Sequence, residues 1–338
     1  MNCISPIRLK GSDGKYRLFP CGRCCVCKSK KSSTWFYRLK IEQKHSFRSY
    51  FVTLDYDPEH VPLVVRDDKF LMAFKYKDVQ QFHKVLREEL RKNNLTFRFY
   101  LVSEYGTKGK RPHYHEILFL NPIDPGKLVK FPKSNMVNFQ YYDRLLSKVI
   151  PKLWKYGQHT EISQLTDERM MYSAGYTQND FVEKVEKLPN PNFGKAKERL
   201  YQFCDDDGVL IREEKVISVD KREFLPDPER NVFSKMSLKP GIGTQELGES
   251  FFNWYQKELP LTIKKEGLTI GMPALFKRKF KERFPDVAEE LTAKAFEFMD
   301  HDINEKFDSM TPEQQQEQRK SVFMYYLKKS KKNKYKNL

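Results

Sequence analysis

The chain has 338 residues, enough to bury a sizeable core in two domains or one large one. Lys and Arg number 62 against 45 Asp and Glu, leaving a formal charge of +17. That surplus suits a polyanion, because cations that neutralise phosphates release counterions, although a solvated basic surface has the same composition. No run approaches the roughly 18 apolar residues of a membrane helix, which excludes a helical membrane span. Met1–Lys10 also lacks the apolar stretch of a signal peptide. A reduced, cytoplasmic chain without disulfides is expected.

Three regions follow in order: a cysteine-rich basic segment at 1–49, a strand–helix segment at 50–187, and a mixed region at 188–338 with a lysine-rich end. In the first, Cys21-x-x-Cys24-x-x-Cys27, with Cys3 upstream, can supply four thiolates to a structural Zn²⁺. Cys25 could replace Cys24, and free thiols in a flexible leader are the alternative. A polar helix is expected over about Lys28–His45; a zinc ion would pin Lys28, Lys30, Lys31 and Trp35 on it against DNA.

Tyr50–Leu54 reads as a buried strand. Asp78 looks like an N-cap, followed by Val79, Phe82, Leu86 and Leu90 on one helical face. Phe97–Glu104 and His113–Leu120 read as paired strands joined by a hairpin loop at Tyr105–Pro112 that carries two glycines and three cations. A second helix is expected over about Tyr142–Tyr156, stopped by a left-handed Gly157. His159–Leu165 is a further strand and Asp167–Phe181 a third helix. Leu188–Gly194 marks a boundary. The tail Lys328–Leu338 is a solvated end or a DNA tether.

His113 and His115 stand two apart in a strand and so share a face. If the hairpin pairs Glu104 opposite His113, the carboxylate joins them, and the set suits Mg²⁺ or Mn²⁺. A Glu–His pair on a wet sheet face is the alternative. Tyr172 and Tyr176, at i and i+4, share a helix face. With a metal beside a phosphodiester to polarise it, either phenol could serve as nucleophile; core packing is the bland role. Asp55, at the end of the first strand, could face the same site or act as a cap. Lys108, Lys110 and Arg111 in the hairpin loop are candidate DNA-backbone contacts. Gly106–Lys110 lacks the spacing of a nucleotide-binding loop. Lys239–Gly243 reads as a tight turn, and His45, His60, His83, His159 and His301 as structural.

Taken together, Phe51-Val-Thr-Leu-Asp-Tyr, Glu104-Tyr-Gly, Arg111-Pro-His-Tyr-His and Tyr172-x-x-x-Tyr176 resemble the HUH endonucleases. They look most like the replication initiators of gokushovirus-type microviruses. Pro20-Cys-Gly-Arg-Cys, Leu153-Trp-Lys-Tyr-Gly and Met236-Ser-Leu-Lys-Pro-Gly-Ile-Gly extend the likeness over roughly Cys3–Gly243. The resemblance implies an α+β fold: a central antiparallel sheet with flanking helices and the His-x-His on a middle strand. It also implies rolling-circle initiation, in which a tyrosine cuts single-stranded DNA at a replication origin through a 5′-phosphotyrosine. With no ATPase motif in the chain, a host helicase and polymerase would supply unwinding and synthesis. Such proteins usually carry a lysine three residues after each tyrosine; here Gly175 and Asn179 stand there. That departure keeps open a catalytically inactive origin- or single-strand-binding protein. Lys184 or the loop lysines could substitute.

Overall fold

The computed structural model describes residues 3–11, 13–66, 69–106, 111–176, 199–204, 210–216, 225–226, 232–258, 262–265, 268–298, 300 and 309–334. It divides into two compact units, one of residues 39–243 and one of residues 1–38 with 244–338. The division at 38/39 falls inside one helix, Cys25–Lys44 (α1).

The first unit is built on a five-stranded antiparallel sheet. In chain order the strands are Arg48–Asp55 (β1), Leu95–Tyr105 (β2), Pro112–Pro122 (β3), Thr160–Gln164 (β4) and Ser234–Met236 (β5). Their spatial order is β5-β2-β3-β1-β4, so β3, the His-x-His strand, is central. Segment 50–187 supplies nearly all of four strands; the fifth, β5, comes from far beyond it and pairs Ser234 with Val102.

One face of the sheet is apolar. Tyr50, Val52 and Leu54 of β1, Phe97, Phe99 and Leu101 of β2, and Tyr114, Leu118 and Leu120 of β3 are buried there. Against them pack the expected Val79, Phe82, Leu86 and Leu90 on helix Tyr76–Lys92 (α2), and Tyr142, Leu146 and Ile150 on helix Phe139–Leu153 (α3). Glu116 is the polar exception on that face. It is fully buried and bonded at 2.5 Å to His83 of α2, so this histidine is held inside the core. Buried polar groups are tolerated only with such partners.

On the opposite face Glu42 of α1 meets Arg98 of β2 at 2.6 Å. The Glu42 carboxylate also accepts the amide of Gly243 at 2.7 Å, and Arg98 donates to the carbonyls of Pro240 and Gly241. The Lys239–Gly243 turn is therefore tied to the sheet, and its Gly243 amide is satisfied by an internal carboxylate.

Several local expectations are corrected. Asp78 lies inside the first turn of α2, whose N-cap is Lys75; it is buried and accepts a bond from the Tyr56 hydroxyl. α3 ends at Leu153, and Gly157 is not left-handed. Its role is close approach: a Cβ there would stand 2.0 Å from the Asp55 carbonyl oxygen. The same carbonyl accepts the Trp154 indole N–H at 2.6 Å, clamping the segment after α3 onto the end of β1. The helix predicted over Asp167–Phe181 runs over Asp167–Tyr176 (α4) in the described residues. Most of the lysine-rich tail is helical as the end of Pro312–Lys334, rather than a disordered end. The predicted boundary at Leu188–Gly194 lies outside the described residues.

In the second unit two strands, Ile7–Lys10 and Tyr16–Phe19, form a hairpin. Arg17 on it is buried, ion-paired with Asp13 and Asp300, and lies over the Phe296 ring. A second hairpin, Thr262–Lys265 with Leu268–Gly271, and helices Glu249–Glu258, Ala274–Arg283 and Pro285–Phe298 complete its described elements before the terminal helix.

Gly157→Ala should lower unfolding free energy by about 2–3 kcal/mol, because its Cβ meets backbone rather than a movable side chain. Thermal denaturation monitored by circular dichroism would check this; an unchanged midpoint would mean that the clamp on β1 has slack.

Candidate metal centre and nucleophile

β2 and β3 pair in a register that sets Glu104 opposite His113 and Val102 opposite His115. β1 enters from the other side, with Asp55 opposite His113 and Thr53 opposite His115. Glu104, His113, His115, Thr53 and Asp55 therefore occupy one face, because side chains alternate along each strand. Helix α4 lies over that face and brings Tyr172 to it.

The Glu104 Oε2 atom is the focus. It lies 2.9 Å from His115 Nε2, 3.4 Å from His113 Nε2 and 2.9 Å from the Tyr172 hydroxyl, which donates to it. The two Nε2 atoms are 3.1 Å apart. An octahedral ion with donors at about 2.1 Å needs neighbouring donors about 3.0 Å apart, so these separations fit a Mg²⁺-like ion. The donors are two imidazoles and one carboxylate, a set that leaves further positions for oxygen ligands. Glu104 and His115 are buried and His113 half-buried, while Tyr172 is 42% exposed at the rim.

The two histidines titrate in opposite directions. Burial pushes His115 below the usual imidazole range, and the nearby His113 adds to that against the pull of Glu104. Burial also opposes charge on His113, but the Glu104 bond and charge, the Arg111 carbonyl and the Asp55 carboxylate together hold it above the usual range.

Residues that sequence reasoning passed over orient the cluster. The Thr53 hydroxyl lies 3.2 Å from His115 Nδ1, and accepting the Nδ1 proton would leave Nε2 free to ligate. Phe51 stacks on the His115 ring at 5.2 Å. The Arg111 carbonyl lies 3.3 Å from His113 Nδ1. The signal for Thr53 and Phe51 was their two-residue spacing from Asp55, which places all three on one strand face.

Asp55 faces the site from across β3, rather than acting only as a cap. Arg111 lies 3.4 Å from its carboxylate, so in this structure Arg111 faces an internal anion. Lys108 and Lys110, Asn179 and Lys184, and the side chain of Tyr176 lie outside the described residues. The backbone at Gly175 is open: a Cβ there would meet nothing within 4 Å. Among the described residues one other group has metal-ligand geometry, formed by Cys3, Cys21, Cys24 and Cys27.

Residues 49–181 match the replication-associated protein ORF2 family model, a span holding Thr53, Asp55, Glu104, His113, His115, Tyr172 and Tyr176. That segment belongs to the ORF2 replication-protein family. The chain is 31% identical over 215 residues to the replication-associated protein ORF2 of Spiroplasma virus 4, covering 59% of this chain and 63% of that one. It is 27% identical over 165 residues to the replication-associated protein ORF4 of Chlamydia phage 1, covering 48% and 38%. It is 28% identical over 164 residues to the replication-associated protein VP4 of Bdellovibrio phage phiMH2K, covering 47% of each. The chain thus spans less than two thirds of the length of these relatives. The likeness to microvirus replication proteins expected from the motifs is shown by these matches. No solved structure matches the chain. The cysteine group lies outside the family-matched segment.

Glu104→Gln should cost most of the Mn²⁺ affinity measured by titration calorimetry, since the carboxylate touches both imidazoles. Thr53→Val should weaken it by about 10–100-fold, the usual effect of removing a group that orients a ligand. Unaltered affinity in Glu104→Gln would mean that the ion binds elsewhere.

Proposed function

We propose that the protein is a rolling-circle replication initiator, an HUH-type endonuclease and strand transferase acting on single-stranded DNA at a replication origin. The observation that carries this reading is the single carboxylate oxygen, Glu104 Oε2, within hydrogen-bond reach of both His115 and the Tyr172 hydroxyl, and 3.4 Å from His113. A potential nucleophile and a metal-ligand set meet at one point on the central strands.

Glu104, His113 and His115 would hold Mg²⁺ or Mn²⁺, which when bound neutralises charge on a phosphodiester. Tyr172 Oη attacks phosphorus, the bond from phosphorus to the 3′ oxygen breaks, and the phenolic proton ends on the departing 3′-OH. The product is a 5′-phosphotyrosine, and the reverse reaction rejoins a strand with no net loss of bond energy. The Glu104 bond aims the phenol before attack, and the fixed strands supply the orientation on which such reactions depend. Tyr176, one helical turn on, would take the second transfer. The 3′-OH would prime a host polymerase, a host helicase would open the duplex, and the site of action would be the bacterial cytoplasm. Lys108, Lys110 and Arg111 would contact the DNA backbone. No helix in the described residues is long and apolar enough to cross a membrane.

A second reading, a catalytically inactive single-strand-binding protein on the same fold, is favoured by Gly175, which stands where similar proteins carry lysine. The open space at that position means a lysine there would be tolerated.

Labelled single-stranded oligonucleotides tiling the phage genome, incubated with Mn²⁺ or EDTA and run on a denaturing gel, separate the two. The nickase gives a metal-dependent covalent adduct that falls by more than about 100-fold in Tyr172→Phe. Binding without an adduct on any oligonucleotide would leave the inactive reading. Gly175→Lys should raise the adduct yield without loss of thermal stability; a lower yield would show that this chain does not lack the missing cation.

A further inference from the structure

The second cluster lies in the unit of residues 1–38 and 244–338, outside the family-matched segment of the chain. Three of its sulfur–sulfur distances are 3.8 Å (Cys3–Cys24), 3.6 Å (Cys3–Cys27) and 4.0 Å (Cys21–Cys27), and all four sulfurs lie within 4.8 Å of one another. A tetrahedral ion with sulfur ligands at about 2.3 Å has edges of about 3.8 Å, so the sulfurs stand where such an ion needs them. Cys25, the neighbouring thiol, is not in the group.

The backbone is shaped to the same end. Gly22 is left-handed at φ +73°, turning the chain between Cys21 and Cys24 so that amides point at sulfur. The Cys24 amide donates to Cys21 Sγ at 3.3 Å and the Cys21 amide to Cys3 Sγ at 3.3 Å. Amides of Arg23, Ile4 and Ser5 lie against Cys21, Cys24 and Cys3 in turn. Convergent amide donors neutralise the charge of thiolates; neutral thiols are weak acceptors and do not call for them.

Cys24 is also the N-cap of α1: its carbonyl accepts the Lys28 amide at 2.9 Å, and the Cys27 amide lies against its sulfur. The first turn of this 20-residue helix holds no acidic residue, so nothing else there complements its positive end.

We infer that Cys3, Cys21, Cys24 and Cys27 bind one structural Zn²⁺, which joins residue 3 to the loop at 21–24 and caps the start of α1. Four thiolates in a tetrahedron select Zn²⁺ or a single iron, and the ion here has no open position for a substrate. The site is independent of the proposed nicking chemistry.

The full-length chain, expressed with zinc, is analysed for metal content and then titrated with Co²⁺ in place of zinc. The expected result is one zinc per chain and a Co²⁺ spectrum with thiolate charge-transfer and intense tetrahedral visible bands. Cys25→Ser and His113→Ala/His115→Ala should keep both signals, and Cys27→Ser should lose them. A weak octahedral Co²⁺ spectrum, an iron-coloured protein, loss of zinc in Cys25→Ser, or loss in the double histidine variant would overturn the assignment. The first two readouts need only the unaltered chain, so misfolding of Cys27→Ser does not blunt the test.

Discussion

The register between β2 and β3 is the constraint on which the rest of the site depends. Side chains alternate with a period of two, so a slip of one residue would turn Glu104, His113 and His115 into the α2–α3 core and push Tyr114, Leu118 and Leu120 toward the helix α4 side. Burying a full apolar side chain is worth about 1.5–3 kcal/mol, and burying unpaired ionisable groups costs several more. The apolar face thus fixes the polar one. Packing far from the chemistry holds three donors at separations that suit an ion.

Glu104 then organises what stands above the sheet. A buried carboxylate needs partners, and it finds them in His115 and in the Tyr172 hydroxyl. Meeting that need also orients the phenol. The site's negative groups, Glu104 and Asp55, sit in a chain of charge +17, so a phosphodiester drawn by the general field would meet local carboxylates. A cation held between Glu104 and the histidines would remove that conflict, and Arg111 already offsets Asp55.

The cysteine cluster answers a different need. The helix that begins beside it has no acidic residue in its first turn, and the strands of the neighbouring hairpin are four residues each. A small segment of this kind has little apolar surface to bury, and short chains of that sort are commonly stabilised by metals or disulfides.

Element types and chemistry were legible along the chain. The α2 face of Val79, Phe82, Leu86 and Leu90, the β2 and β3 strands, the His-x-His pair and the Cys-x-x-Cys-x-x-Cys run all follow from periodicity and spacing over a few residues. So did the kinship, since the nuclease motifs stand in order within the segment that matches the family model. What only the tertiary structure decided are meetings across long separations. Ser234–Met236 becomes the edge strand beside β2, and Gly157 is needed for approach to the Asp55 carbonyl rather than for a helix stop. Thr53 meets His115 62 residues on, and Tyr172 meets Glu104 across 68 residues. Local propensity carries no information about such pairs, because their free energy comes from burying one element against another; the side chains could be named from sequence, but the distances between them belong to the packed sheet.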